Sequence, residues 1–133
     1  IILFSVLASC PTSVPLTAGI LMGIGETRQE QIEGLLAIKV THLEFVRIQE
    51  IIVQNVIPNA DTKVRNTPAP ELEELLWTLA MSRIIFGPGM NIQCPPNLNM
   101  KALPELIGAG INDWGGVSPV TQDHVNPESP WPE

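Results

Sequence analysis

A chain of 133 residues, 44% apolar and 16% charged, is the right size for one compact folding unit of α/β or helical type. Seven basic against fourteen acidic residues leave a net charge of −7. The basic ones (Arg28, Lys39, Arg47, Lys63, Arg65, Arg83, Lys101) are scattered along the chain, which argues against a nucleic-acid footprint and for a small-molecule substrate.

Residues 1–10 form an apolar run too short to cross a bilayer and without a basic leading region, so no membrane segment is expected. Leu7-Ala8-Ser9-Cys10 is similar to a lipoprotein cleavage box, and the alternative is a buried helix end. Cys10 and Cys94 lie far apart with no His at ligand spacing, so neither a zinc site nor a disulfide framework is encoded. A reducing, cytoplasmic setting is the expectation.

Residues 16–22 are apolar or small and stop at Gly23-Ile24-Gly25, which predicts a buried strand ending in a tight turn. Thr27 followed by Glu30 is a capping box. It opens a helix to Phe45, with Ile32, Leu35, Leu36, Val40 and Leu43 as its expected core face. Residues 48–54 carry the β-branched run Ile51-Ile52-Val53, which predicts a strand buried on both faces.

The connection 55–70 is rich in Pro, Asn and Thr. Pro70 suits the first turn of a second helix, with Glu71, Glu73 and Glu74 at the positive end of its dipole. Leu72, Leu75, Leu76, Leu79 and Phe86 would form its core face, and Gly87-Pro88-Gly89 would end it. A third strand at 90–93, a short helix at 101–109 and a fourth strand at 111–114 follow, before a Pro-rich tail without periodicity.

Strands alternating with helices predict an α/β fold of four parallel strands, either doubly wound or part of a (β/α) barrel. A complete barrel takes roughly 250 residues, about twice what is present, so a partial barrel is expected. Active sites of such folds lie at the C-terminal strand ends, which here are polar: Gly23 and Glu26, Gln54-Asn55, Gln93 and Asn97, Asn112-Asp113. Amides both donate and accept, which suits a neutral heterocycle or polyol better than acid–base work.

Each has a plainer reading. Glu26 also suits the following helix N-terminus, Gln54 and Asn55 could cap a loop, and Asp113 could be a structural hub. His124 reads as a surface residue and Cys94 as a small core residue.

The string Gly19-Ile20-Leu21-Met22-Gly23-Ile24-Gly25-Glu26 is similar to the Gly-x-Ile-x-Gly-x-x-Glu strand of radical S-adenosylmethionine (SAM) enzymes, with Leu21 in the Ile position. Together with Ile48-Gln49-Glu50-Ile51-Ile52-Val53-Gln54-Asn55, Asn91-Ile92-Gln93-Cys94-Pro95-Pro96-Asn97-Leu98 and Gly110-Ile111-Asn112-Asp113-Trp114-Gly115-Gly116, it resembles the FO synthase family over about residues 15–133.

The resemblance implies the C-terminal half of a radical SAM (β/α) TIM-type barrel, with an atypical segment at 1–14, the half barrel at 15–116 and the tail at 117–133. It implies SAM and a [4Fe-4S] cluster as cofactors, a hydroxybenzyl-ribityluracil adduct as substrate, and cyclisation to a deazaflavin with loss of ammonia. A partner radical SAM synthase subunit or fused domain is implied as well. Leu21, Met22, Gly23 and Glu26 would lie against SAM, and Gln54, Asn55, Gln93, Asn97, Asn112 and Asp113 would face the substrate.

The sequence departs from the family pattern in places. It lacks the Cys-x-x-x-Cys-x-x-Cys cluster motif, so those ligands are expected outside it. The stretch Val56-Ile57-Pro58-Asn59-Ala60 lacks the aromatic and basic residues usual after the Gln-Asn pair, and Cys94 stands where Ala is usual. The alternatives are a non-catalytic remnant or binding half-barrel, and a sister radical SAM enzyme of futalosine-derived menaquinone synthesis.

Overall fold

The computed structural model describes residues 14–58, 68–118, 120–124 and 126–132. The apolar run at 1–10 with its Cys10 box, and most of the 55–70 connection, lie outside them.

Strand β1 (Leu16–Met22) leads through helix α1 (Arg28–Phe45) to strand β2 (Ile48–Asn55), and helix α2 (Leu72–Phe86) returns the chain to strand β3 (Asn91–Gln93). A single 3-10 turn (Pro96–Leu98) and the short helix α3 (Leu103–Gly108) follow. The three strands are parallel and lie side by side in chain order, β1-β2-β3. Sequential parallel strands joined by right-handed crossovers place both long helices on the same side of the sheet.

The register fixes which residues share a face. Ala18 pairs with Ile51, Met22 with Asn55, and Ile51 with Ile92. Strand side chains alternate in direction, so this set points one way, toward the helices. There Met22, Ile51, Val53 and Ile92 close on Leu35, Leu75, Leu79 and Leu106, all fully or almost fully buried. Gly19, Leu21, Ile52, Gln54 and Gln93 point to the opposite face. Strand β2 is therefore buried on its helix side only, with Ile52 and Gln54 half-exposed on the other.

The expected capping box is present, with Glu30 N–H donating to Thr27 Oγ1 and Thr27 N–H to the Glu30 carboxylate. The helix faces differ from expectation. In α1 the buried positions are Gln31, Leu35, Ile38 and Thr41, whereas Leu36, Val40 and Leu43 are exposed. In α2, Leu75, Thr78, Leu79, Ser82 and Phe86 are buried and Leu72 is exposed.

The physical reason is that polar residues occupy the interface between the helices and are satisfied there. Thr78 Oγ1 lies 2.8 Å from Gln31 Oε1, while Thr41 and Ser82 bond back to the carbonyls of Ala37 and Thr78. Apolar periodicity cannot mark a face whose seam is polar. Pro70 precedes the α2 N-cap residue Glu71 instead of occupying the first turn.

A fourth strand does not form. Residues 111–114 contribute one parallel bridge, Gln93 to Asp113. Asn112 N–H donates to Ile92 O at 3.1 Å, but the Ile92 N–H is taken by the Asn112 side-chain oxygen at 2.8 Å. That substitution stops the ladder, and Gly115, at φ +73°, turns the chain away.

Candidate functional site

Among the described residues, two cavities open near the C-terminal ends of the strands. The first lies on the turn after β1, between the N-termini of α1 and α2; it measures about 210 Å³ and is lined by Met22, Gly23, Gly25, Glu26, Gln31 and Glu74, with Pro70. Gly23 adopts φ +89°, and a Cβ there would stand 2.7 Å from Pro70 Cδ, so only glycine admits the proline.

Glu26 organises this turn. Its carboxylate accepts from Gly23 N–H and Ile24 N–H, both at 2.8 Å, and from Gln31 Nε2 at 3.0 Å. Burial acts to raise its pKa, yet the donors of Gly23, its own amide, Gln31 and Ile24 together hold it below the ordinary carboxylate value. Glu26 is thus anionic at neutral pH, and through Gln31 it is tied to Thr78 on α2. Arg28 joins the two helix starts, bidentate to Glu74 at 2.7 and 2.9 Å with its guanidinium 4.6 Å from the Trp77 ring centre.

The second cavity, about 200 Å³, lies on the sheet face that carries no helix. Ile52, Gln54 and Gln93 form its floor, Trp114 its side, and Asp123 and Trp131 of the C-terminal segment its outer wall. That segment is held down by Asn97, whose Nδ2 donates to Asp123 Oδ2 at 2.9 Å and to Ser129 O at 3.0 Å. Asn97 is buried, and its own Oδ1 has no hydrogen-bond partner. Gly115 must be glycine, because a Cβ would meet Gln93 Oε1 at 1.9 Å and its φ is +73°.

Known proteins of the same sequence type give this geometry a context. The chain is 52% identical to the FO synthase of Streptomyces avermitilis over 122 residues, 92% of its own length and 14% of that protein's. The chain matches a segment of FO synthases. It is 51% identical to the FO synthase of Mycobacterium tuberculosis strain H37Rv over 121 residues, 90% of the chain and 14% of the relative. A shorter relative, the 7,8-didemethyl-8-hydroxy-5-deazariboflavin synthase of Methanopyrus kandleri, is 48% identical over 120 residues, 90% of the chain and 36% of that protein. The chain therefore spans about one seventh of the longer FO synthases and about a third of the shorter enzyme. No protein-family model matches the chain. No solved structure matches it either.

The residues singled out from sequence do not come together in one place. Met22, Gly23 and Glu26 line the first cavity, with Met22 fully buried, while Leu21 lies exposed on the opposite sheet face. Gln54 and Gln93 line the second cavity, and Asp113 pairs beside Gln93 while its carboxylate caps Gly115 N–H at 2.8 Å.

Asn55 faces the helix side, where its Oδ1 accepts from Asn99 Nδ2 at 2.8 Å; strand alternation keeps it from sharing a cavity with Gln54. Asn112 is engaged by Arg83, Ile92 and Asn91 near the start of β3 and lines neither cavity. Asp123, Asn126 and Trp131 were not expected from sequence. The signal for them was an aromatic residue held between prolines in Pro130-Trp131-Pro132, inside a tail that lacks any strand or helix period. His124 is exposed.

Among the described residues no three His, Cys, Asp or Glu side chains come together as a metal site, so these residues do not fit an iron–sulfur cluster. Cys94 is fully buried, and burial pushes its thiol up to about 12. The thiol's contribution to stability is fully present below the ordinary thiol value and falls as pH rises from there to the folded value, because the unfolded chain ionises first. In a Cys10→Ser variant, iodoacetamide at pH 8 is expected to leave Cys94 unlabelled in the native protein and to label it fully in urea; native labelling at the denatured rate would show that the thiol is accessible. Among the described residues no helix is long and apolar enough to cross a membrane.

Proposed function

We propose that this chain is the segment of an FO synthase that builds one side of a (β/α) barrel and one wall of its substrate site, within an enzyme forming 7,8-didemethyl-8-hydroxy-5-deazariboflavin. The observation that carries this reading is the second cavity. Sequential parallel strands carry helices on one face and, on the other, present Gln54 and Gln93 at the ends where α/β enzymes bind their ligands. A barrel wall has this one-sided covering, with the uncovered face turned to the barrel interior. Identity near 50% to proteins named for this product supports the reading.

In this reading the amides of Gln54 and Gln93 orient a neutral, hydrogen-bonding ring, and the indole of Trp114 excludes water from one edge of it. The Gly23–Glu26 turn is one wall of a SAM site. Its cavity of about 210 Å³ takes only part of so large a molecule, so the remaining contacts come from elsewhere in the barrel. SAM, when bound beside a reduced iron–sulfur cluster, supplies a carbon-centred radical for hydrogen abstraction; the described residues would position SAM and hold none of the iron. Glu26, kept anionic by backbone donors, fixes the turn against which SAM would rest. The partner implied is a second radical SAM subunit or a fused domain.

The test is product formation by the full-length protein that carries this chain, followed by deazaflavin fluorescence. Gln54→Leu and Gln93→Leu are each expected to lower turnover by at least about tenfold, since removing one hydrogen-bonding group from a buried contact costs roughly 1 to 3 kcal/mol. Wild-type turnover in both variants would overturn the placement of the site. A folded wild-type protein that forms no product would instead favour the non-catalytic reading.

A further inference from the structure

The interface between the two long helices carries one side chain that packing does not explain. Gln31, in the first turn of α1, is buried, where a leucine would fill the space without an amide to satisfy. Its Nε2 donates to Glu26 Oε1 at 3.0 Å, and its Oε1 lies 2.8 Å from Thr78 Oγ1 on α2. Thr78, fully buried, also lies 2.8 Å from the backbone oxygen of Glu74. Glu26, Gln31 and Glu74 all line the first cavity, so this chain of contacts begins and ends on its wall.

We infer that Gln31 is a positioning residue: through Glu26 on one side and Thr78 on the other, it holds the turn after β1 and the start of α2 at the separation that SAM binding needs. The inference rests on the reading of the first cavity as one wall of a SAM site. An anionic Glu26 accepts only, so the amide must turn Nε2 toward it and Oε1 toward α2. Thr78 then donates, with one proton for two acceptors, Gln31 Oε1 and Glu74 O. One carboxylate thereby sets the direction of the bonds across the seam.

Other residues at this position would not make both bonds. Leucine would leave Glu26 to its backbone donors and Thr78 to its own helix, and glutamate would set a second carboxylate against the first. The Arg28–Glu74 ion pair joins the same two helices from outside, but its side chains are 48% and 38% exposed, and a pair so open to water contributes little to holding a fixed distance. The buried amide is the stiffer connection.

The experiment is equilibrium dialysis of radiolabelled SAM against the full-length holoprotein. Gln31→Leu is expected to weaken SAM by at least about tenfold, and Thr78→Val by about threefold or more, the scale set by one lost buried hydrogen bond. Both should speed hydrogen exchange in the peptide carrying Gly23 and Ile24, measured without SAM. Thr41→Val is the comparison, because Thr41 is buried on the same face of α1, bonds to Ala37 O of its own helix and lines neither cavity. It removes a like hydroxyl and should leave SAM affinity within about twofold of wild type. Circular dichroism and the unfolding midpoint establish that each variant is folded.

Gln31→Glu supplies a readout that lost packing would not move. The introduced carboxyl would face Glu26 across the 3.0 Å now spanned by the amide, and two carboxyls so close do not both ionise. The further charged group on the cavity wall, Glu74, stays matched by Arg28. Affinity relative to wild type should therefore be low near about pH 8 and recover toward about pH 6, as a shared proton restores the bond. Wild-type affinity in Gln31→Leu, or a Gln31→Glu ratio that does not change with pH, overturns the inference and leaves the reading of the cavity standing. If Gln31→Leu does not fold, Thr78→Val decides in its place. A folded wild type that binds no SAM would remove the reading of the first cavity, and the inference with it.

Discussion

Replacing Gly19 with alanine is expected to cost about 3 kcal/mol or more, the sum of overpacking and broken ladder bonds. Gly19 lies opposite Ile52 in the β1–β2 ladder, and a Cβ there would stand 2.0 Å from Ile52 O and 2.3 Å from Ile52 Cγ2. The first of these is backbone and cannot rotate away, so the two strands must separate. Separation strips hydrogen bonds from the pairing and loosens Ile51 and Val53, which are fully buried on the helix side.

The check is urea unfolding. With a slope of roughly 2 kcal/mol/M, the midpoint should fall by about 1.5 M. Gly89→Ala serves as the comparison, because a Cβ there meets nothing within 4 Å and no positive φ is involved. It should stay within about 0.5 kcal/mol of wild type. A Gly19→Ala midpoint equal to that of Gly89→Ala would mean that the strands do not approach as described.

Arg83→Met is expected to cost about 2 to 3 kcal/mol and to disturb the start of the 111–116 segment. From the last turn of α2 its guanidinium donates to Gly110 O and Gly87 O at 2.8 Å, to Met90 O at 2.7 Å and to Asn112 Oδ1 at 3.0 Å. One side chain thus joins the end of α2, the entry to β3 and the chain that bridges to Gln93. Lysine has three donors on one nitrogen and cannot span four divergent acceptors, so Arg83→Lys should recover less than half of the loss. Because Asn112 precedes Asp113 and Trp114, the methionine variant should also lower product formation by more than its unfolded fraction explains. Full stability in Arg83→Met, or recovery of wild-type stability in Arg83→Lys, would show that the four carbonyl and amide contacts are not what hold this corner.

Much of the architecture was legible because local chemistry and tertiary outcome agree. The capping box at Thr27 and Glu30, the β-branched run in β2 and the Gly87-Pro88-Gly89 stop act over a few residues, and the elements begin or end where those signals stand. The polar strand ends were legible too, since Gln54 and Gln93 meet in one cavity.

What sequence alone left undecided depends on long-range neighbours. The buried face of α1 carries Leu35 and Ile38 together with Gln31, which bonds to Thr78 47 positions away, and it leaves Leu36, Val40 and Leu43 outside. The fourth strand reads as well as the third in sequence, but a side-chain oxygen of Asn112 takes the ladder bond that a backbone carbonyl would have made. Glycines illustrate the same division. The positive φ of Gly23 follows from a turn that sequence marks, whereas the need for Gly19 comes from Ile52 on the neighbouring strand.

By itself, then, the sequence determined the order of the elements, the parallel α/β class and the resemblance to FO synthases, because these follow from periodicity, caps and strings of residues. Only the tertiary structure decided that Asn55 and Asn112 turn away from the Gln54–Gln93 cavity and that Asp123 and Trp131 close over it. The reason is that strand parity and a hydrogen-bonded strap are properties of pairing across the chain, and a pairing partner is not written next to the residue it commits.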